Sequence, residues 1–322
     1  MNVQEELLQE RIDPYLGDDQ LSAVATEALG ERVRVRGYEV LTGGCWNRVI
    51  GADANGTPLV LKVSPHEDDE KIIREYQVLK EFRAGTELPV PEPLLLDRTS
   101  RLMPGTMLVM SRIPGAVMHQ CYGLLNYGQR RRITEEIADH LAALHTIRST
   151  GFGGVELSHE QRREKWSDFW LPRFDQVLEE VAAAGVAPAR LVDGARGVRP
   201  LLAPLLDIGT ESTMTHYDVW SGNVMINVEA NPPRVSGFID VPGYYADYAR
   251  ELSFAMLFGV ADRRFFQTYT THHEIDDSFA LRASIYNLKM NLRHIQMYPS
   301  EYYYQRGAAE CLQAIEHHLE TG

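Results

Sequence analysis

The stretch His216-Tyr217-Asp218-Val219-Trp220-Ser221-Gly222-Asn223, followed downstream by Phe238-Ile239-Asp240, is the most informative part of this chain. It has the form His-x-Asp-x-x-x-x-Asn, and a single aspartate then ends an apolar run. A carboxylate such as that of Asp218 can orient an attacking hydroxyl and accept its proton in phosphoryl transfer. The amide oxygen of Asn223 and the carboxylate of Asp240 are oxygen ligands of the kind that Mg²⁺ prefers. The spacing therefore predicts Asp218 as a catalytic base and Asn223 and Asp240 as metal ligands.

The segment between the two halves of this pattern reads as a β-hairpin. Residues 224–228 and 235–239 are short apolar runs, and the intervening Glu229-Ala230-Asn231-Pro232-Pro233 has the composition of a turn. A hairpin there would bring base and metal ligands together, as in the catalytic region of protein kinases. The alternative, in which the polar residues simply occupy a surface loop, does not account for this context.

Composition narrows the class of protein. The chain has 322 residues, 44% of them hydrophobic, so it is long enough for two lobes with a sizeable core. Its net charge of −13 argues against a nucleic-acid-binding protein and is compatible with a cationic small-molecule acceptor. The three cysteines show no metal-ligand spacing or disulfide framework, and we find no secretory signal or membrane-spanning run. We therefore expect a cytoplasmic protein without nucleic-acid or membrane partners, in an oligomeric state that stays open.

The first third of the chain changes from helical to strand periodicity. After a helical start, strands are predicted at 38–41, 49–52 and 59–63, with Asn55-Gly56 as a hairpin turn. Ser64-Pro65-His66-Glu67 has the pattern of a capping box and predicts the start of a helix.

A further strand at 108–111 leads to Pro114-Gly115, and beyond this pair the pattern is mostly helical. The order of elements predicts an α+β, protein-kinase-like two-lobe fold. We expect a small β-rich nucleotide-binding lobe over residues 1–110, a hinge over 111–115, and a larger helical lobe with the catalytic and substrate groups over 116–322.

A lysine in the third strand is the candidate phosphate ligand. Lys62 lies between apolar residues in mid-strand, and in a kinase such a lysine holds the ATP phosphates and pairs with a helix carboxylate. Glu75, in the following helix, is the candidate partner, and its alternatives are Glu67, Glu70 and Glu81. Gly43-Gly44 allows a tight turn whose amides can approach phosphate, although a plain hairpin would use the same residues. No Gly-x-x-x-x-Gly-Lys-Ser/Thr sequence is present, so a P-loop is excluded.

At these residues the chain resembles the aminoglycoside phosphotransferase and choline kinase superfamily, and within it the fructosamine kinases. Val109-Met110-Ser111-Arg112-Ile113-Pro114-Gly115 is similar to the superfamily's hinge, which implies that backbone groups of Ser111 and Ile113 bind adenine. Asp218-Val219-Trp220-Ser221-Gly222-Asn223 is similar to the Asp-Leu-Trp-Ser-Gly-Asn of fructosamine kinases. The resemblance extends from about residue 38 onward.

The resemblance implies a kinase that uses ATP and Mg²⁺ and phosphorylates a hydroxyl of an amino-sugar-like acceptor, of the fructosamine (ketosamine) or aminoglycoside type. A metabolic sugar or amino-alcohol kinase is an alternative, and an inactive nucleotide-binding pseudokinase is disfavoured because the site residues are intact. Three departures lie near the substrate side and bear on the acceptor. Tyr217 stands where the family usually has Gly, Val241 where it has Pro, and Glu251-Leu252-Ser253 where it has Asp-Leu-Ala.

Overall fold

The computed structural model describes residues 3–41 and 47–321. Within it the chain forms two compact units. The first unit consists of Met1–Gly115 and Ser236–Val241, and the second of Ala116–Val235 and Pro242–Gly322. The chain thus returns to the first unit for the short segment Ser236–Val241, which contains Asp240. The contiguous lobes expected from the sequence do not include this return.

The first unit is built on an antiparallel sheet. Its strands are β1 (Val35–Val40), β2 (Arg48–Ala54), β3 (Thr57–Ser64), β4 (Pro93–Asp97) and β5 (Thr106–Ser111). In the described residues they pair in the order β1-β2-β3-β5-β4. Its helices are α1 (Val3–Arg11), α2 (Asp18–Leu29) and α3 (Glu70–Gly85).

The β2–β3 turn forms where the sequence predicts it. Asn55 and Gly56 have φ angles of 56° and 92°, which a two-residue hairpin turn requires and which these residue types tolerate. The N–H of Gly56 also donates to a carboxylate oxygen of Asp53 at 2.7 Å.

The predicted start of α3 is wrong. Ser64 is the last residue of β3, and α3 begins at Glu70 with Asp69 as its N-cap. The Asp69 carboxylate accepts hydrogen bonds from the N–H groups of Lys71 and Ile72, at 2.9 and 3.4 Å. The Ser64 hydroxyl donates to the same carboxylate at 2.6 Å. Ser64 therefore supports the true cap instead of serving as one, because the ladder with β5 continues through it.

One face of the sheet packs against the N-terminal helices. Alternate residues of β3, Leu59, Leu61 and Val63, are buried in a cluster with side chains of α1 and α2. Because successive side chains of a strand point to opposite faces, Lys62 lies on the other face of the sheet.

The second unit is mainly helical. Its helices are α4 (Met118–Cys121), α5 (Tyr127–Leu144), α6 (Trp166–Ala184), α7 (Ala189–Val198), α8 (Leu202–Asp207), α9 (Tyr248–Leu257), α10 (Arg263–Tyr269), α11 (Phe279–Met297) and α12 (Tyr302–Thr321). Its strands are β6 (Ala116–Val117), β7 (Arg148–Ser149), β8 (Gly153–Gly154), β9 (Ser212–Thr215), β10 (Val224–Asn227) and β12 (Tyr244–Ala246). Strand β11 (Arg234–Phe238) begins in the second unit and ends in the first.

Strand β9 leads directly into the His-x-Asp loop and pairs with β7 and β12. Just after β12, Asp247 caps α9 and accepts a hydrogen bond from Arg282 of α11 at 2.9 Å, with both side chains buried. This contact fixes α9 and α11 beside the loop. Among the described residues, no helix is long and apolar enough to cross a membrane.

Candidate active site

In the first unit, Lys62 is held by two carboxylates. Its Nζ donates to Oε1 of Glu75 at 2.6 Å and also contacts Oδ1 of Asp240. The side chains of Lys62 and Glu75 are only 13% and 17% exposed, whereas that of Asp240 is 50% exposed. The structure therefore brings together three of the residues that the sequence singled out, and it selects Glu75 over Glu67, Glu70 and Glu81.

The two carboxylates keep Lys62 charged. Burial alone would lower the pKa of this lysine, but the negative charges of Glu75 and Asp240 outweigh it and raise the pKa above its ordinary value. A protonated ammonium that is held in place by two carboxylates is suited to binding phosphate oxygens.

The hinge-like segment after β5 also belongs to the first unit. The Ser111 N–H donates to the carbonyl of Glu92 at 2.9 Å, so this amide is already occupied. Ile113 lies against Gly237, where an added Cβ would be 3.0 Å from the Ile113 side chain and 2.8 Å from the Pro89 carbonyl oxygen. Glycine at 237 thus allows the strand before Asp240 to approach the hinge. Gly43 and Gly44 lie outside the described residues.

In the second unit, side chains of the His-x-Asp-x-x-x-x-Asn loop form hydrogen bonds within the loop. Asn223 donates from Nδ2 to both the carbonyl and the Oδ2 of Asp218, at 2.9 and 2.8 Å. The Asp218 N–H donates to Nδ1 of the buried His216 at 3.2 Å. These bonds set the orientation of the Asp218 carboxylate, and they turn the amide oxygen of Asn223 away from it.

Gly222 has a steric role within this loop. An added Cβ would lie 2.3 Å from Cζ2 of Trp220, so only glycine leaves room for the indole. The Trp220 ring stacks on His119 with an interplanar angle of 5°. The N–H of His119 donates to the Ser221 carbonyl at 2.9 Å. The Trp-Ser-Gly-Asn sequence is therefore a packed unit of the loop.

Tyr217 has an unusual backbone conformation. Its φ angle is 81°, in a region where a residue other than glycine costs roughly 1–2 kcal/mol. Two neighbours stabilise it. Its N–H donates to Oε1 of Glu251, and its carbonyl accepts a hydrogen bond from Arg250, whose guanidinium lies 3.6 Å from the centre of the Tyr217 ring. This explains how a tyrosine occupies a position at which the family usually has glycine.

Glu251 belongs to a buried network whose role the sequence did not predict. Its second oxygen lies 2.7 Å from Nε2 of His145, and Nδ1 of His145 lies 2.7 Å from the hydroxyl of Tyr269. Burial alone would raise the pKa of Glu251, but hydrogen bonding and charge from His145 hold it below its ordinary value. As a carboxylate, Glu251 accepts from His145 Nε2–H. The network anchors the backbone of Tyr217, directly before Asp218.

The donor types at Asn223 and Asp240 fit Mg²⁺, which binds amide and carboxylate oxygens. In the described ranges, no group of three or more His, Cys, Asp or Glu side chains is placed to hold a metal ion.

A family model for fructosamine kinases matches residues 18–317. The chain belongs to the fructosamine kinase family. Among curated relatives, a probable ketoamine kinase of Enterococcus faecium is 24% identical over 79% of this chain and 90% of its own length. A probable ketoamine kinase of Synechocystis is 22% identical over 87% of this chain and 91% of its own length. The resemblance inferred from the motifs is confirmed.

Solved structures confirm the predicted fold. A Thermobifida fusca protein, described provisionally as a fructosamine-3-kinase, superposes with a TM-score of 0.73 at 19% identity, covering 94% of this chain and 100% of the other. A ternary complex of the aminoglycoside phosphotransferase APH(4)-Ia with ADP and hygromycin B superposes with a TM-score of 0.62 at 18% identity, covering 94% and 99%. The fold is thus kinase-like. Membership of the fructosamine kinase family makes the chain a small-molecule kinase with a hydroxyl acceptor.

Proposed function

We propose that this chain is a ketosamine kinase in which Asp218 orients and deprotonates the acceptor hydroxyl. Lys62, positioned by Glu75, binds the ATP phosphates, and the N–H of Ile113 binds adenine. Asn223 and Asp240 are the protein ligands of Mg²⁺, which when bound neutralises charge on the transferring phosphate. The protein forms no covalent intermediate, so positioning and charge provide the acceleration.

The observation that carries this proposal is the paired lysine of the first unit. A charged, largely buried ammonium held by a helix carboxylate and by an aspartate after a strand is the phosphate-binding arrangement of active kinases. A pseudokinase has no need to preserve it. The ordered Asp218–Asn223 pair of the second unit supports the same conclusion.

The ketosamine acceptor is supported by the family match and by the packed loop around Gly222. The test is a screen by mass spectrometry with ATP and Mg²⁺ against fructosamines and ribulosamines in one set and aminoglycosides in the other. We expect phosphate transfer to ketosamines. Transfer to aminoglycosides alone would refute the proposed acceptor while leaving the kinase class intact.

The role of Asp218 is tested with the Asp218→Asn variant. Asparagine retains the shape and a hydrogen-bond acceptor for Asn223 but cannot accept a proton. We expect kcat to fall by about 10²–10⁴-fold, with the Kd for ATP nearly unchanged. The control is Asp193→Asn, an exposed aspartate of α7 in the same unit, which should leave kcat unchanged. Near-normal turnover of Asp218→Asn would exclude Asp218 as the base.

A further inference from the structure

Arg250 is a buried cation whose polar contacts are concentrated on one residue of the catalytic loop. The residue is 7% exposed, yet it forms no ion pair with any described carboxylate. Its guanidinium donates to the Tyr217 carbonyl and lies 3.6 Å from the centre of the Tyr217 ring. It also lies 5.0 Å from the ring of Phe254 and 4.0 Å from Sδ of Met290. These groups solvate a guanidinium only in part, so stability alone does not account for a cation at this position.

The backbone of Tyr217 requires a restraint. Its φ of 81° lies in the left-handed region, which is unfavourable for a residue with a Cβ and open to glycine without strain. Without contacts that hold this angle, the tyrosine would relax towards a negative φ. Such a rotation would turn the peptide group that leads into Asp218, and it would move the carboxylate of that residue.

Two consecutive residues of α9 supply this restraint. Glu251 accepts a hydrogen bond from the Tyr217 N–H, and Arg250 donates to the Tyr217 carbonyl. The Tyr217 ring packs on the Arg250 guanidinium and on Tyr244, whose ring centre is 4.4 Å away. A rotation about φ moves the carbonyl and the side chain together relative to the N–H. Because Arg250 holds the first two and Glu251 holds the third, the pair fixes the angle.

Building on the kinase function proposed above, in which Asp218 is the base, we propose that Arg250 is a positioning residue for the reaction. It holds Tyr217 in the left-handed conformation that sets the direction of the Asp218 carboxylate, and it touches no reacting atom itself. The family usually has glycine at the position of Tyr217, and glycine adopts this conformation without a restraint. Arg250 therefore compensates for the tyrosine, and the two residues act as a pair.

The first test is the Arg250→Met variant, which keeps an extended side chain but removes its charge and its hydrogen-bond donors. Phosphate transfer from ATP to fructosylglycine, the fructosamine formed from glucose and glycine, is followed by mass spectrometry. We expect kcat to fall by about tenfold to a hundredfold, with the Kd for a non-hydrolysable ATP analogue nearly unchanged. Unfolding of the variant would instead reduce the amount of bound analogue in proportion to the lost activity. A wild-type kcat would overturn the proposal.

The second test repeats this substitution in the Tyr217→Gly background. Glycine has no strain at this φ and no ring for the guanidinium to hold. In that background Arg250→Met should therefore lower kcat by only about threefold or less. An equal fall in both backgrounds would overturn a role that acts through Tyr217. An inactive Tyr217→Gly variant would also overturn the proposal, because glycine adopts the required conformation without the arginine.

The matched control is Arg162→Met, in the same unit. Arg162 lies 4.2 Å from the centre of the Tyr245 ring and donates to the carbonyls of Val155 and Leu157 at 3.1 and 2.8 Å. These contacts are of the same kind as those of Arg250, but they are made to residues outside the catalytic loop. The control should keep kcat within about twofold of the wild type. A loss as large as that of Arg250→Met would overturn the specific assignment.

Urea unfolding examines the same pair of residues without a substrate. Arg250→Met should lower the free energy of unfolding more in the wild-type background than in the Tyr217→Gly background, because only the tyrosine has a ring contact to lose. Equal changes in both backgrounds, together with normal phosphorylation of fructosylglycine, would overturn the role of Arg250 and leave the ketosamine kinase standing. If the wild-type chain does not phosphorylate fructosylglycine, the proposed acceptor is refuted, and the unfolding energies still decide whether Arg250 and Tyr217 act as a pair.

Discussion

Replacing Lys289 by methionine should stabilise the protein, because this partly buried cation has no ion pair among the described residues. The pKa of Lys289 is lowered from 10.5 to about 7, first by burial and then by Arg250 and Arg173. In the unfolded chain the lysine regains its ordinary pKa. Since each tenfold change in proton affinity corresponds to about 1.4 kcal/mol, the protonated lysine destabilises the fold by at most about 4–5 kcal/mol.

The pH dependence has a definite sign. The unfolded chain binds the extra proton between pH 7 and 10.5, so the destabilisation is fully present below the folded pKa of about 7 and fades as the pH rises towards 10.5. Lys289 is only partly buried, and water screens part of the effect. We therefore expect Lys289→Met to gain roughly 1–3 kcal/mol at about pH 6 and clearly less at about pH 9.

Urea unfolding followed by tryptophan fluorescence measures this difference, since Trp166 and Trp170 are buried in the same unit as Lys289. Arg306→Gln, which removes an exposed cation of the same unit that is paired with Glu310, is the control and should show no gain that depends on pH. A methionine variant less stable than the wild type at about pH 6, or a gain equal at both pH values, would refute the reasoning about an uncompensated charge.

Three further changes test other parts of the structure. Glu251→Gln replaces the acceptor of the Tyr217 N–H and weakens the hydrogen bond from His145. Steady-state kinetics should therefore show a kcat lower by about tenfold or more at an unchanged KM for ATP. A rise in the KM for ATP alone would contradict a role of Glu251 in the catalytic loop. Lys62→Met should raise the KM for ATP and lower kcat together, and wild-type kinetics would exclude it as the phosphate ligand. Gly105→Ala places a Cβ 1.9 Å from the Ser64 carbonyl oxygen and should cost about 3 kcal/mol or more in chemical unfolding. Gly56→Ala, at a similar φ with open space, should cost only about 1 kcal/mol, and equal losses would show that the backbone contact does not matter.

Local sequence patterns were sufficient to predict contacts between residues that lie close together along the chain. The Asp218–Asn223 pair lies within one loop, and its spacing alone predicted that the two side chains cooperate. Strand alternation predicted that Lys62 points away from its apolar neighbours, and helix periodicity placed Glu75 among the few carboxylates that could reach it. The Asn55-Gly56 turn followed from backbone conformations that few other residues adopt.

Where a helix-start pattern and a strand pattern overlap, the sequence alone does not show which of the two forms. Ser64-Pro65-His66-Glu67 has the pattern of a helix start, but pairing with β5 holds Ser64 in the strand, and Asp69 becomes the cap. Glu251 was visible only as a departure from a family pattern. Its role depends on His145, a residue over a hundred positions earlier in the chain, whose approach is set by the packing of α5 against later helices.

The sequence alone was enough to name the candidates for the base, the metal ligands and the phosphate-binding lysine. Asp218 and Asn223 share one loop, Asp240 ends an apolar run, and Lys62 stands in mid-strand between apolar residues. The support of the backbone directly before Asp218, in contrast, depends on residues far apart in the sequence. Glu251 accepts a hydrogen bond from the Tyr217 N–H and contacts His145, which in turn contacts Tyr269. No spacing along the chain relates Glu251, His145 and Tyr269, and they meet because the helices of the second unit, such as α5 and α10, pack together.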